Sequence, residues 1–248
     1  MEYNRLGSER IVPPDPYYIP ARKWNLGMDG LADGLALVFD LDGVIVDSNP
    51  VHEEAWRLYM ARFGADLDQP AMQRMYGLRN DEIVRDFFGR PMTEEEIAAH
   101  GAAKEALYRE LMKDQLELRL VPGIREFLNA HRTTPMALAT NAEPANAEFV
   151  LGRAGLRQFF RVIVDGHQVR RPKPNPEIYL LTSRLLGISP RNCIVFEDSC
   201  WGVEAARAAG ARVVALTTTH AKLHHADLSI SNFLSDELEP WLRKQFPM

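Results

Sequence analysis

Five short apolar runs, rich in β-branched residues, recur along the chain and are separated by stretches with a helical pattern. They occupy residues 35–39, 136–139, 162–164, 193–196 and 213–216, and turn residues follow each run. Strands that alternate with helices in this way form a mostly parallel sheet with helices on both faces. The pattern therefore predicts an α/β fold in which all strands end at one edge of the sheet.

One long segment, residues 51–120, breaks this alternation. It is rich in Ala, Glu, Arg and Leu and contains no strand-like run, so it is predicted to be a helical insertion. Asn49-Pro50 supplies a cap and a first-turn proline for its opening helix. Thr93 and Glu96 fit the capping box of a later helix in the same segment.

The chain is thus expected to have three parts. Residues 35–50 and 121–248 form a three-layer, Rossmann-like sheet domain, residues 51–120 form the helical insertion, and residues 1–34 form an N-terminal arm. The arm contains four prolines, a density that excludes a regular helix or a central strand.

Composition narrows the class of ligand. The formal charge of -5 and the pI near 5.8 argue against a nucleic-acid binder, which normally has a basic face. Two cysteines are too few for a disulfide framework, and no stretch approaches the roughly 20 apolar residues of a membrane span. We therefore expect a cytoplasmic protein, a monomer or homodimer, that acts on a small molecule away from membranes.

Asp40 and Asp42 follow the first apolar run and place two carboxylates at the mouth of a buried strand. A charge beside a core is costly unless it is paired, hydrogen-bonded or bound to a metal, so the pair suggests a metal site or acid/base chemistry. Taken alone, Asp42-Gly43 is also an ordinary turn signal. Thr140 and Glu197 end two other runs and would stand at the same edge of the sheet.

Four spaced segments together resemble the motifs of the haloacid dehalogenase superfamily. They are the run Asp40 to Ser48 for the first motif, Thr140-Asn141 for the second, Lys173 in a proline-rich loop for the third, and Glu197-Asp198-Ser199 for the fourth. The resemblance covers residues 35 to about 235. It is strongest to subfamily I members with a helical cap, the β-phosphoglucomutase-like and sugar-phosphate phosphatases, and it identifies residues 51–120 as that cap.

The resemblance and the residues' own chemistry imply the same two roles for the first motif. Asp40 suits the nucleophile that attacks phosphorus and forms an aspartyl-phosphate, which water later cleaves. Asp42 suits the general acid and base that protonates the leaving oxygen and then takes a proton from the attacking water.

The remaining motifs supply charge neutralisation. Hard oxygen ligands for Mg²⁺ would come from Asp40, the main-chain carbonyl of Asp42 and the Glu197/Asp198 pair, of which Asp198 is favoured. The substrate's phosphoryl oxygens would be bound by two further groups. Thr140 would donate its hydroxyl, backed by the main-chain N–H groups of Asn141 and Ala142, and Lys173 would add positive charge.

Substrate selection is expected to fall to the cap. The segment from Tyr76-Gly77 to Glu82 resembles a substrate-facing loop, in which Arg79 and Asn80 would contact the substrate. His52 matches a histidine of the sugar-phosphate members and is a candidate for substrate contact. A plain surface arginine and a structural histidine are the alternatives for Arg79 and His52.

The expected function is therefore a Mg²⁺-dependent phosphatase acting on a small phosphorylated metabolite. A phosphosugar mutase is the alternative, but those mutases have a lysine where this chain has Tyr76, and a lysine after the second motif where it has Ala142-Glu143-Pro144. A haloalkanoate dehalogenase would need neither Asp42 nor a metal. A binding module without catalytic activity would be expected to lack at least one of Asp40, Asp42, Lys173 and Asp198, and this chain has all four.

Overall fold

A computed structural model of the protein describes residues 34–68, 70–72 and 78–245. Within them, one six-stranded sheet contains β1 (Ala36–Phe39), β2 (Met136–Ala139), β3 (Val162–Val164), β4 (Cys193–Glu197), β5 (Arg212–Leu216) and β6 (Leu228–Ile230). All pairings are parallel and the order is β3-β2-β1-β4-β5-β6. This α/β, Rossmann-like fold confirms the predicted class. The predicted N-terminal arm, except Gly34, lies outside the described residues.

The strands read as apolar throughout because both faces of the sheet are buried. In β1, Leu37 and Phe39 enter the core on one face, whereas Ala36 and Val38 enter the core on the other. The sequence pattern did not predict β6. This edge strand has only three residues and its middle one, Ser229, is exposed, so it carries too little apolar signal.

Aromatic packing behind the strand ends fixes the centre of the sheet. Phe39 and Phe196 are paired across β1 and β4, and their rings stack with centroids 4.7 Å apart. Phe127 and Phe233 pack on the same pair. Buried aromatic contacts of this kind rigidify the two strands that carry the acidic motifs.

The helices between β1 and β2 are α1 (Asn49–Ala61), α2 (Asn80–Phe88), α3 (Glu94–Met112), α4 (Leu116–Arg119) and α5 (Ile124–Ala130). Later helices are α6 (Pro144–Arg153), α7 (Glu177–Leu186), α8 (Cys200–Ala209) and α9 (Leu238–Gln245). None of these described helices combines the length and apolar character that crossing a bilayer requires.

Of two predicted helix starts, one is confirmed and one is wrong. The capping box of α3 is confirmed, because Thr93 Oγ1 accepts from the Glu96 N–H at 3.1 Å and Glu96 caps the Thr93 N–H at 2.7 Å. Asn49, in contrast, is not the cap of α1: Ser48 occupies that position, and the Asn49 amide donates to Thr219 Oγ1 instead, at 2.5 Å.

The helical insertion has a small core of its own, formed by Trp56, Met60, Ile83 and neighbours. The second half of α3 packs differently, since Tyr108 and Met112 belong to the main sheet core. Helices and sheet lie in the same compact unit of the chain, and a cavity of 540 Å³ separates the insertion from the strand ends. The boundaries of the cap as a domain stay a prediction.

Candidate active site

The carboxyl ends of β1, β2 and β4 bring four of the predicted side chains together. Asp40 follows β1 and its N–H bonds the carbonyl of Phe196 in β4 at 3.0 Å. Thr140 follows β2, Glu197 is the last residue of β4, and Asp198 follows it. All four side chains are buried. They lie together because parallel strands end at the same edge of the sheet.

Lys173 reaches this edge from the loop before α7. Its ammonium donates to Asp40 Oδ1 at 2.6 Å, to Glu197 Oε1 at 2.6 Å and to the carbonyl of Ala139 at 3.0 Å. Burial alone would lower the pKa of Lys173, but the charges of Asp40 and Glu197 raise it above its ordinary value. Lys173 is therefore a fixed positive charge directly beside Asp40.

Glu197 is surrounded by donors. Its Oε1 accepts hydrogen bonds from Lys173 and from the Tyr179 hydroxyl. Its Oε2 accepts from the Asp198 N–H and from the Ser199 hydroxyl, both at 3.2 Å. Gly202 leaves room for this carboxylate, because a Cβ there would lie 1.9 Å from it. These contacts make Glu197 an anchor for Lys173.

A buried acidic cluster fits a metal ion. One oxygen each from Asp40, Glu197 and Asp198 lie within 4.8 Å of one another. Burial raises the pKa of Asp40 to about 7, even though Lys173 opposes the shift, and burial with the charge of Glu197 raises that of Asp198 well above its ordinary value. Carboxylates that resist ionisation in this way gain most from a hard divalent cation.

Asp42 has a different environment, although it is only two residues from Asp40. Its Oδ1 accepts from the Ser48 hydroxyl at 2.5 Å and lies 3.5 Å from His52 Nε2. Burial alone would raise its pKa, but the hydrogen bonds from His52 and Ser48 hold it below the ordinary value. Asp42 is thus an ionised carboxylate turned toward α1.

Thr140 and Asn141 follow β2 and were predicted to bind the phosphoryl group. The Ala142 N–H, expected to face the phosphoryl group, donates to Thr140 Oγ1 at 3.1 Å instead, and the Thr140 hydroxyl keeps its own proton to donate. The buried side-chain oxygen of Asn141 finds no hydrogen-bond partner among the described residues. Asn141 is also one of the residues that line the cavity.

The insertion supplies the opposite wall of the cavity. Arg79 lines it just before α2, with its Nε 3.5 Å from Asp81. Asn80 donates to Glu105 at 2.8 Å and to Glu143 at 3.0 Å. The predicted loop residues Tyr76 and Gly77 lie outside the described residues.

His52 also lines the cavity, but both ring nitrogens face protein groups. Its Nδ1 is 2.8 Å from Lys104 Nζ, its Nε2 faces Asp42, and its ring stacks on Tyr108 with centroids 3.8 Å apart. His52 is therefore placed to hold Asp42. The proposed substrate contact of His52 stays a prediction.

Several polar residues of the site gave no clear signal in the sequence. They include Lys104, Glu105, Asn146, Tyr179 and Thr219. Lys104 and Glu105 lie in a helix rich in charged residues, so their local pattern matches that of a solvated surface. Tertiary contacts bury them: Lys104 lies against His52 and Trp56 of α1, and Glu105 bonds Asn146 of the sheet domain.

Comparison with known proteins gives a consistent result. Residues 35–210 match the family model for haloacid dehalogenase-like hydrolases. The chain is 35% identical over 177 residues to the fructose-1-phosphate phosphatase YqaB of Escherichia coli, covering 70% of this chain and 92% of that protein. It is 34% identical over 187 residues to a phosphorylated carbohydrates phosphatase of Thermotoga maritima, covering 71% and 81% of the two chains.

Solved structures share the architecture. The fold matches a crystal structure of β-phosphoglucomutase from Clostridium difficile with a TM-score of 0.77 at 27% identity, covering 86% of this chain and 97% of that one. Sequence and structure therefore point to the same group of proteins.

Proposed function

Because the chain belongs to the haloacid dehalogenase-like hydrolases and is a phosphoric monoester hydrolase, we propose that it is a Mg²⁺-dependent phosphatase of a small phosphorylated metabolite, a sugar phosphate in the first instance. The observation that carries this proposal is the pair of carboxylates with opposite environments. Asp40 is buried against Lys173, whereas Asp42 is turned away toward Ser48 and His52.

The first half-reaction uses both carboxylates. Asp40 attacks phosphorus, the bond from phosphorus to the leaving oxygen breaks, and an aspartyl-phosphate forms on Asp40. Asp42 gives its proton to the leaving oxygen. The incoming phosphoryl group adds negative charge near Asp42 and so opposes the low pKa that His52 and Ser48 impose, which favours proton uptake before that step.

The second half-reaction reverses the role of Asp42. As a carboxylate, it accepts a proton from the water that attacks the phosphorus of the aspartyl-phosphate. The bond between phosphorus and the Asp40 oxygen breaks, phosphate leaves, and the Asp40 carboxylate is regenerated. Lys173 stays within 2.6 Å of Asp40 and balances the charge of the phosphoryl group. Thr140 and Asn141 are proposed to bind the phosphoryl oxygens, and Arg79 and Asn80 the remainder of the substrate.

The metal is proposed to be held by Asp40, Asp198 and the main-chain carbonyl of Asp42. Glu197 fits less well as a direct ligand, since four protein donors already occupy its oxygens. When bound, Mg²⁺ would neutralise charge on the phosphoryl oxygens and keep Asp40 ionised. The room for Asp198 comes from Gly43, where a Cβ would lie 1.9 Å from Asp198 Oδ2.

A phosphosugar mutase is the second candidate, and the match to β-phosphoglucomutase favours keeping it. A mutase must also bind a second phosphate, which calls for free positive charge in the cavity. Here Glu143 lines the cavity, Arg79 lies beside Asp81, and Lys104 lies beside Glu105. These two positive charges are thus already paired with carboxylates, which favours the phosphatase over the mutase.

Phosphorus NMR tests the proposal. The purified protein with Mg²⁺ is given fructose 1-phosphate and, separately, β-glucose 1-phosphate with a trace of the 1,6-bisphosphate. We expect release of free phosphate that stops when EDTA removes the metal and that Asp40→Asn abolishes. Conversion to glucose 6-phosphate without free phosphate would establish the mutase instead. Release that persists in Asp40→Asn would overturn the nucleophile assignment.

We further propose that the protein acts in the cytoplasm as a monomer or homodimer, away from membranes and nucleic acid. The support is the acidic composition and a site built for a small anion. Sedimentation of the full chain gives the oligomeric state.

A further inference from the structure

A second group of buried charges lies across the cavity from Asp40. Lys104 and Glu105 are neighbours on α3 and are only 2% and 4% exposed. Buried charges are costly unless they are paired and hydrogen-bonded. The reaction proposed above uses neither residue directly, so their burial calls for an explanation.

The Glu105 carboxylate joins three helices. Its Oε1 accepts from Lys104 Nζ at 2.9 Å and from Asn80 at 2.8 Å, and its Oε2 accepts from Asn146 at 2.7 Å. Asn80 begins α2 in the insertion, whereas Asn146 belongs to α6 of the sheet domain. Asn146 is itself held by Arg109, whose guanidinium donates at 2.7 Å. Glu105 is therefore fixed from both sides of the cavity.

The contacts of Lys104 lead from Glu105 to the active site. An ammonium group donates and cannot accept, so His52 Nδ1 must accept the 2.8 Å bond from Lys104. The single ring proton of neutral His52 then lies on Nε2, which faces Asp42 at 3.5 Å. The tautomer of His52 is thus set by the charge on Lys104.

We propose that Glu105 is a positioning residue for Asp42: it holds the Lys104 ammonium against His52 Nδ1, so that His52 presents Nε2–H to the Asp42 carboxylate. This inference rests on the proposed phosphatase, in which Asp42 is the acid and base. Glu105 touches no reacting atom and acts through two side chains.

Loss of the Glu105 charge has a defined consequence. Without the Glu105 carboxylate, Lys104 loses the acceptor that holds its Nζ against His52 Nδ1, so Nδ1 can carry the imidazole proton in place of Nε2. The imidazole proton would then move away from Asp42, and a lone pair of Nε2 would face the carboxylate. Asp42 would keep the Ser48 hydroxyl but lose the His52 donor that helps to fix its orientation.

The test compares two leaving groups in Glu105→Gln, a change that removes the charge and keeps the shape. The value of kcat/KM reports the steps through departure of the leaving group. Fructose 1-phosphate, with an alkoxide leaving group, needs a proton from Asp42, whereas p-nitrophenyl phosphate does not. We expect kcat/KM to fall at least tenfold for fructose 1-phosphate and less than threefold for p-nitrophenyl phosphate.

The matched control is Glu110→Gln, an exposed glutamate on the same helix, which should leave both values unchanged. An equal loss on both substrates, or no loss on either, would overturn the inference while leaving the phosphatase intact. If the wild type released phosphate from neither compound, the proposed function would fail and this inference with it.

A spectroscopic measurement decides the matter if Glu105→Gln folds poorly. Nitrogen-15 NMR of the seven histidines, with His52 assigned from the signal missing in His52→Gln, reports its tautomer. The wild type should show the proton on Nε2. Asn146→Ala, which removes one support of Glu105, should populate the other tautomer. A wild-type proton on Nδ1 would contradict the proposed role.

Discussion

At the scale of single residues, environment separates two aspartates that the sequence places side by side. Burial raises the pKa of Asp40 to about 7 despite Lys173, whereas His52 and Ser48 hold that of Asp42 below its ordinary value in spite of burial. The two side chains differ because Asp40 faces other buried carboxylates and Asp42 faces donors. One group is thereby suited to hold a cation and attack, and the other to exchange protons.

Asp42→Asn tests this division. An amide cannot give up or accept the proton, so we expect phosphate release from fructose 1-phosphate to slow by roughly two to four orders of magnitude. Initial rates by phosphate assay measure the effect. Asp47→Asn, in the same loop but paired with Arg119 at 3.4 Å, should stay close to the wild type. A loss below tenfold in Asp42→Asn would remove Asp42 from the acid/base role.

At the scale of elements, the corner between β4 and α8 positions the charges of the site. Ser199 caps α8 by accepting from the Gly202 N–H at 3.0 Å, and its hydroxyl also donates to Glu197. Glu197 lies against the first turn of α8 because Gly202 has no side chain there. The helix start, the end of the strand and the loop carrying Lys173 are thus joined through one carboxylate.

Gly202→Ala is expected to disturb that corner. Its Cβ would overlap the Glu197 carboxylate, so Lys173 would lose its anchor, and a displacement of about 1 Å can cost roughly a hundredfold in rate. Turnover and melting temperature should be measured together. Gly152→Ala is the control, since a Cβ at this exposed position of α6 meets nothing within 4 Å. Wild-type turnover in Gly202→Ala would show that Glu197 does not depend on this close approach.

At the scale of the whole molecule, polar contacts bridge the helical insertion and the sheet domain across the cavity. Glu105 of α3 bonds Asn146 of α6, and Asn80 of α2 bonds Glu143 just before α6. The pKa of Glu105 is lowered to about 2, because the charge of Lys104 and the hydrogen bonds from Lys104 and Asn146 more than offset the effect of burial. Stability of the assembled molecule is therefore linked to the ionisation of this carboxylate.

The sign of the pH dependence follows from that lowered pKa. An unfolded Glu105 returns to its ordinary value near 4.5, so its contribution is complete above that pH and is lost as pH falls toward 2. The shift corresponds to roughly 3 kcal/mol of unfolding free energy. Urea unfolding at several pH values should show the advantage of the wild type over Glu105→Gln to be constant near neutrality and to shrink below pH 4.5. A difference that does not change with pH would contradict the linkage.

Local patterns in the sequence determined most of the framework. Continuous apolar runs predicted β1 to β5, and the capping box of Thr93 and Glu96 predicted the start of α3. These features are local because hydrophobic burial and capping act within a few residues. The three-residue edge strand β6 was missed for the same reason, since Ser229 interrupts its short pattern. The grouping of Lys173 and Asp198 with Asp40 came instead from the resemblance to the haloacid dehalogenase superfamily.

Only the tertiary structure decided how the charges are paired. Asp40 and Lys173 are 133 positions apart in the chain, and Asn146 and Glu105 are separated by 41, yet each pair is hydrogen-bonded. Nothing in the charged pattern of α3 distinguishes buried Lys104 and Glu105 from solvated residues. Their burial depends on helices and strands that meet from distant parts of the chain. The sequence therefore specifies which groups are available, whereas the packing of those elements fixes their ionisation and their partners.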